Sequence, residues 1–324
     1  MINDILISVV APVYNEEKCI REYINQTVDI LQDNYLNYEL VLVDDGSTDN
    51  SIVIIKEILG KVKNIRLISL SRNYGREVAI SAGLDVSIGD YVVLMDSDLQ
   101  DSPDLIPKLV DRAVSGYDVV YAARISRAGE SFFKKISSKY FYKIASSLTG
   151  FSIPNDAGDF RVFNRKVVNS ISQLKESNRY MKMLYAYVGF KVSKIPFERS
   201  ERYAGTTKYS YAKLFNASLD AIISFSNRPL RILSIFSMIL SFLLFVLILG
   251  IFIYKMMDTN AIVEGWSSTM VFISLMFSVL FMFLSIISEY ISRILIETKN
   301  RPLYYIREEH NSSVVYGKNI VDDL

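Results

Sequence analysis

Two acidic clusters stand where chemistry is possible. Asp44-Asp45-Gly46-Ser47 follows the apolar run Tyr38–Val43, and Asp96-Ser97-Asp98-Leu99-Gln100 follows the run Tyr91–Met95. Residues i and i+2 of an extended chain point the same way, so Asp96 and Asp98 are expected to present two carboxylates to one side. Paired carboxylates repel unless one is protonated or a divalent cation sits between them. The chain has one cysteine, Cys19, and one histidine, His310. A cysteine-based zinc site, an intramolecular disulfide framework and a Ser-His-Asp triad are therefore disfavoured. Any cation here would be held by oxygen, which points to Mg²⁺ or Mn²⁺.

The elements that must position these residues alternate. Ile5–Val10, Tyr38–Val43, Ile65–Ser69, Tyr91–Met95 and Asp118–Ala122 are short runs rich in Val, Ile and Leu. Such runs suit strands buried on both faces. Helical patterns lie between them at Lys18–Gln32, Ser47–Leu59, Gly75–Ser87 and Asp104–Ser115, with Ser47 and Ser102 as the expected starts of the second and fourth. This order predicts an α/β fold with a mostly parallel sheet, Rossmann-like, with helices on both faces. Ligands of such sheets bind outside the carboxyl ends of the strands, where the acidic clusters fall. A GxGxxG turn is missing from the first strand, which leads instead to Ala11-Pro12-Val13-Tyr14-Asn15-Glu16-Glu17, so dinucleotide-dependent redox chemistry is disfavoured.

The later part of the chain changes character. Ile232–Tyr254 and Gly265–Ser288 carry no charged residue. At about 1.5 Å per residue each reaches roughly 35 Å, enough to cross a bilayer. Arg228 and Arg231 precede the first run, and Arg293, Lys299, Arg301 and Arg307 follow the second. The positive-inside rule then predicts a multi-pass plasma-membrane protein with both termini and the catalytic domain in the cytoplasm. The expected divisions are a catalytic domain at 1–210, a juxtamembrane amphipathic helix at 211–230, spans at 231–255 and 265–290, and a cytoplasmic tail at 291–324. Phe132–Leu148 and Tyr211–Phe225 mix aromatic and basic residues as interfacial helices do. Ser234, Ser237, Ser241 and Gly250 are small residues of the kind a homo-oligomer would pack through. Thirty-six basic against 35 acidic residues leave a net charge of +1, which gives no footprint for nucleic acid.

The ordered set V-A-P-V-Y-N-E-E, V-D-D-G-S-T-D, S-R-N-Y-G-R-E and M-D-S-D-L-Q-D resembles the family 2 inverting glycosyltransferases of GT-A fold. Within them the chain is most similar to the polyisoprenyl-phosphate glycosyltransferases, which include dolichyl-phosphate mannose synthase and the bacterial undecaprenyl-phosphate glucosyltransferase branch. The likeness continues through Asp159-Phe160-Arg161 and through Arg202-Tyr203-Ala204-Gly205-Thr206-Thr207-Lys208-Tyr209.

That resemblance implies roles. Pro12, Tyr14, Glu16, Asp44, Asp45, Asn73, Asp96, Ser97 and Gln100 would bind the nucleotide sugar. Asp96, Asp98 and Gln100 would hold the metal–diphosphate. Asp159 would be the acceptor-side carboxylate, and Asp98 and Arg124 would share in catalysis. Arg124, Arg202 and Lys208 would bind acceptor or diphosphate oxygens. The donor and acceptor implied are UDP-glucose and undecaprenyl phosphate. GDP-mannose, UDP-N-acetylglucosamine and a UDP-4-amino-4-deoxy-arabinose derivative are alternative donors; a processive polysaccharide synthase and a non-catalytic membrane scaffold are more distant readings.

Overall fold

The computed structural model describes residues 5–124, 146–147, 149–150, 157–177, 179–197 and 265–312, with positions 230, 235–240, 242–244, 246, 249 and 253. It divides into two compact units, one holding all eight described strands and the other the long apolar helix.

The first unit is built on β1 (Leu6–Val13), β2 (Asn37–Asp44), β3 (Ile65–Leu70), β4 (Tyr91–Leu94), β5 (Val119–Arg124), β6 (Ala157–Asn164), β7 (Val192–Phe197) and β8 (Ile306–Asn311). Their order is β7-β5-β6-β4-β1-β2-β3-β8. The β4-β1-β2-β3 centre is parallel throughout, as is the β5–β7 pair. β6 runs antiparallel between β4 and β5, and β8 antiparallel beside β3. The expected mostly parallel sheet is therefore present.

The central strands are buried because each face carries helices. Val9, Ala11 and Val13 of β1 share one core with Ile20, Ile24 and Leu31 of α1 (Ile20–Asn34) and with Leu109 and Val110 of α4 (Ile106–Val114). On the opposite face α3 (Arg76–Val86) packs on β1 and β2. A Cβ on Gly83 of α3 would lie 2.3 Å from Val10 Cγ1, so only glycine lets that helix approach so closely. Each fully buried aliphatic chain contributes roughly 1.5–3 kcal/mol.

Element ends shift in instructive ways. α2 begins at Ser51, after an N-cap at Asn50, rather than at Ser47, because Ser47 is used in a loop contact described below. A single turn of 3₁₀ helix at Pro103–Leu105 leads into α4. β6 and β7, with α5 (Arg165–Ser172) and α6 (Met181–Tyr187), complete a part of the sheet that the five apolar runs did not include.

The tail also holds a strand. Arg66 and Lys56 pair with Glu309 and Glu308 of β8 at 2.8 and 2.6 Å, and Ile65 N–H donates to Ser312 Oγ. Hydrogen bonds from His310 and then from Lys56 hold the Glu308 carboxyl down at about 2. Just before β8, the Tyr305 carbonyl accepts the Ser71 N–H at 2.9 Å. The unit that holds the sheet thus includes residues beyond the apolar segments as well as those before them.

In the second unit, α7 (Trp266–Thr298) contains the apolar stretch Phe272–Thr298, long enough to cross a membrane. It is the one such helix among the described residues. It continues past Ser288 to Thr298, and Glu289 and Arg293 pair at 2.8 Å across one turn of that extension. Residues 235–240, inside the first apolar run, are helical. Eleven of the 23 residues of that run, and nearly all of the two interfacial stretches, lie outside the described residues.

Ending the chain after Arg301 removes β8 and leaves β3 as an open edge. We expect the melting temperature of the detergent-solubilised protein to fall by about 5 °C or more and aggregation to rise. An unchanged melting curve would show that β8 adds nothing to the sheet.

Candidate active site

The carboxyl ends of β1, β2 and β4 open on one edge of the sheet, and the loops there are tied to one another. Asn15, in the left-handed region at φ 55°, donates its N–H to Ser47 Oγ and accepts the Thr48 N–H on Oδ1. Glu16 N–H donates to Ser51 Oγ, and Glu17 N–H to Asp49 Oδ2. Gly46 has φ +72°, and a Cβ there would sit 2.7 Å from the Arg72 and Asn73 backbone. The β2–α2 loop is thus clamped between the loops that follow β1 and β3.

The tandem aspartates divide their work. Asp45 takes the Tyr74 and Gly75 N–H groups at 2.7 and 2.9 Å, one on each oxygen. Burial raises its pKa, and those two N–H groups oppose the rise. Asp45 therefore fixes the loop that precedes α3. Asp44 is fully buried: Oδ1 accepts the Ser47 N–H at 3.0 Å, while Oδ2 has no hydrogen-bond partner among the described residues. A buried carboxylate oxygen left in that condition is costly and suits a ligand donor.

The D-S-D-L-Q segment leaves extended geometry soon after β4. Residues 97–100 form a bend, with Leu99 at φ 57°. Simple alternation therefore does not orient Asp98 relative to Asp96. Asp98 Oδ1 accepts the Gln100 N–H at 3.2 Å. Ser97 is buried and donates to the Pro12 carbonyl, so its hydroxyl joins β4 to β1. Pro12 itself is buried in β1, Tyr14 is exposed, and Glu16 is partly buried.

Asp96 meets a cation that sequence reasoning did not single out. Arg76, the first residue of α3, donates Nε and Nη2 to Asp96 Oδ1 at 2.9 and 2.6 Å. The same Nη2 lies 3.2 Å from Asp159 Oδ2 on β6, and Nη1 lies 3.6 Å from Glu77 Oε1. Lys182 Nζ is 3.8 Å from Asp159 Oδ1. Burial alone would lower the Arg76 pKa, but Asp96, Asp159 and Glu77 outweigh it and hold the guanidinium well above its ordinary value. Burial raises Glu77, against the pull of Arg76. The signal for Arg76 was its place in S-R-N-Y-G-R, beside two acidic loops that needed a counter-charge.

The remaining predicted residues are less complete. Asn73 is exposed on the loop against Gly46, and Gln100 is partly buried. Arg124 closes β5, opposite Phe197 of β7. Arg202 and Lys208 lie outside the described residues.

Cys19 sits under the same edge. Its thiol donates to Glu16 Oε2 at 3.0 Å, and burial followed by Glu16 pushes its pKa up to about 12. We expect maleimide to label the native protein at pH 8 at least about a hundredfold more slowly than the denatured chain. Equal rates would show that this edge is open down to Cys19.

Comparison with known proteins follows the same lines. The profile of Glycosyl transferase family 2 matches residues 8–172. The uncharacterized glycosyltransferase YkcC of Bacillus subtilis (strain 168) is 41% identical over 304 residues, 94% of each chain. The bactoprenol glucosyl transferase of Shigella phage SfII is 34% identical over 307 residues, 95% of this chain and 99% of its own. Among solved structures, glucosyl-3-phosphoglycerate synthase from Mycobacterium tuberculosis covers 68% of this chain and 77% of its own at 20% identity and a TM-score of 0.47, a likeness too remote to carry anything over. On the family profile and relatives that span nearly its whole length, the chain belongs to glycosyl transferase family 2 and is a glycosyltransferase.

Proposed function

We propose that the protein transfers a sugar, with glucose from UDP-glucose as first choice, to a polyprenyl phosphate such as undecaprenyl phosphate at the cytoplasmic membrane face, with inversion. The observation that carries this reading is the meeting of Asp96 and Asp159 on one guanidinium. A donor-side carboxylate at the end of β4 and an acceptor-side carboxylate on β6 then border one reaction space. The relatives named bactoprenol glucosyl transferases support both the sugar and the lipid acceptor.

Asp96, Asp98 and Gln100 offer hard oxygen donors, which fit Mg²⁺ or Mn²⁺. Such a cation would supply charge neutralisation for the departing diphosphate. Asp44 Oδ2 would accept a hydrogen bond from the base or ribose. Asp159 orients the acceptor phosphate or takes its residual proton; with a second pKa of roughly 6, that phosphate is already mostly ionised. Lys182 adds positive charge beside Asp159, and Arg124, Arg202 and Lys208 would contact phosphate oxygens. The attacking oxygen displaces the diphosphate in one step, so no covalent glycosyl-enzyme forms.

The chain's connectivity supports the membrane reading. β7 precedes the apolar segments, β8 follows them, and both belong to one sheet. A crossing by α7 therefore requires a second crossing between β7 and α7, and the apolar run at 232–254 supplies it. Both ends of the paired spans then face the compartment that holds the sheet, and Arg293, Lys299 and Arg301 mark it as cytoplasmic.

Detergent-purified protein with undecaprenyl phosphate, Mn²⁺ and one radiolabelled nucleotide sugar at a time tests the proposal. We expect label in the lipid phase from UDP-glucose and a loss of about a hundredfold or more in Asp98→Ala. Asp159→Asn should lower kcat by at least about tenfold with little change in donor KM. Transfer from another donor would replace the sugar, and no lipid product from any donor would overturn the acceptor.

A further inference from the structure

Three carboxylates, Asp96, Asp159 and Glu77, surround Arg76. Two of its nitrogens converge on the single oxygen Asp96 Oδ1, at 2.9 and 2.6 Å. Asp96 is a carboxylate that a donor-phosphate cation would use, so guanidinium and cation would compete for its charge. Arg76 and Asp96 are each about three-quarters shielded from solvent, with side-chain exposures of 27% and 23%, so their attraction is screened less than at the surface. The loop before α3 is fixed by Asp45, so the backbone of Arg76 starts from a held position.

We propose that Arg76 is an internal counter-ion that occupies Asp96 while no nucleotide is bound and thereby makes the divalent cation bind together with the donor diphosphate. The inference rests on the donor-side reading of Asp96. A free cation must displace the guanidinium and leave it among fewer anions. A diphosphate removes that penalty, because its oxygens give Arg76 a replacement partner of the planar, bidentate kind that arginine pairs with best. Cation and nucleotide then strengthen one another's binding, and the coupling is reciprocal. Arg76 is in this respect a positioning residue: it decides the order in which charge enters the site.

The test is Mn²⁺ binding to the detergent-solubilised full chain, read by electron paramagnetic resonance with and without UDP. In the unaltered protein UDP should tighten Mn²⁺ binding at least about tenfold. Arg76→Gln should bind free Mn²⁺ at least about tenfold more tightly than the unaltered protein, and the further tightening by UDP should be correspondingly smaller than in the unaltered protein. Arg76→Lys, which keeps the charge but not the planar fork, should fall between Arg76→Gln and the unaltered protein. A purely structural role for Arg76 predicts the opposite sign, with weaker Mn²⁺ binding in Arg76→Gln. Equal affinities in Arg76→Gln and the unaltered protein would overturn the inference alone, and an absence of coupling to UDP in the unaltered protein would overturn the inference together with the metal–diphosphate reading. No Mn²⁺ binding by any of the proteins, with or without UDP, would overturn the donor-side metal assignment and this inference with it.

Discussion

Negative charge is concentrated at one edge of the sheet, and the local structure there is organised around containing it. Parallel pairing of β1, β2 and β4 sends their carboxyl ends the same way, and the loops that follow β2 and β4 carry Asp44, Asp45, Asp96 and Asp98. Antiparallel β6 pairs Arg161 with Leu94, at the end of β4, and Asp159 lies two residues earlier on that strand. Two like charges about 4 Å apart repel by roughly 4 kcal/mol at an effective dielectric of 20. Each carboxylate is offset differently: Asp45 by two backbone N–H groups, Asp44 by one, and Asp96 and Asp159 by Arg76. The edge therefore suits a further positive charge, such as the proposed cation would supply.

Rigidity at that edge comes from reciprocal contacts between loops. Asn15, Glu16 and Glu17 donate backbone N–H groups to side chains of the next loop, and Asn15 and Glu17 accept from its backbone in return. Ser97 fastens β4 to the Pro12 carbonyl. Several residues whose motifs imply nucleotide contact thus also tie these loops together. Loops held in this way would lose little freedom in ordering themselves around a donor. The segment before β8 joins the arrangement through the Tyr305 carbonyl on Ser71, so the end of the chain supports the same loop that carries Arg76.

The central strands and the acidic loops were legible in the amino-acid sequence because burial on both faces demands unbroken apolar runs, and aspartate after such a run marks a strand end. β8 was not legible. Its Ile-Arg-Glu-Glu-His-Asn sequence is polar, as an edge strand's can be, and its partner β3 is about 240 residues away in the chain. Asp159 and Arg161 were named through their motif, but the strand that carries them, β6, was not legible, because its neighbours are set by topology rather than by local pattern. Arg76 was visible as a residue but not as a bridge, since only the pairing of β4 with β6 brings Asp96 and Asp159 to the same guanidinium. Ser47 resembled a helix cap, yet its hydroxyl serves Asn15, and the helix waits until Ser51.

The central claim is that the carboxylates after β4 hold the donor diphosphate through a divalent cation. Anomalous diffraction at the manganese edge, from crystals of the full chain grown with Mn²⁺ and UDP, tests it most directly. The account predicts one strong peak within about 2.5 Å of a carboxylate oxygen of Asp96 or Asp98 and of a diphosphate oxygen. A peak bound to neither aspartate, or an ordered UDP diphosphate with no manganese beside it, would contradict the account.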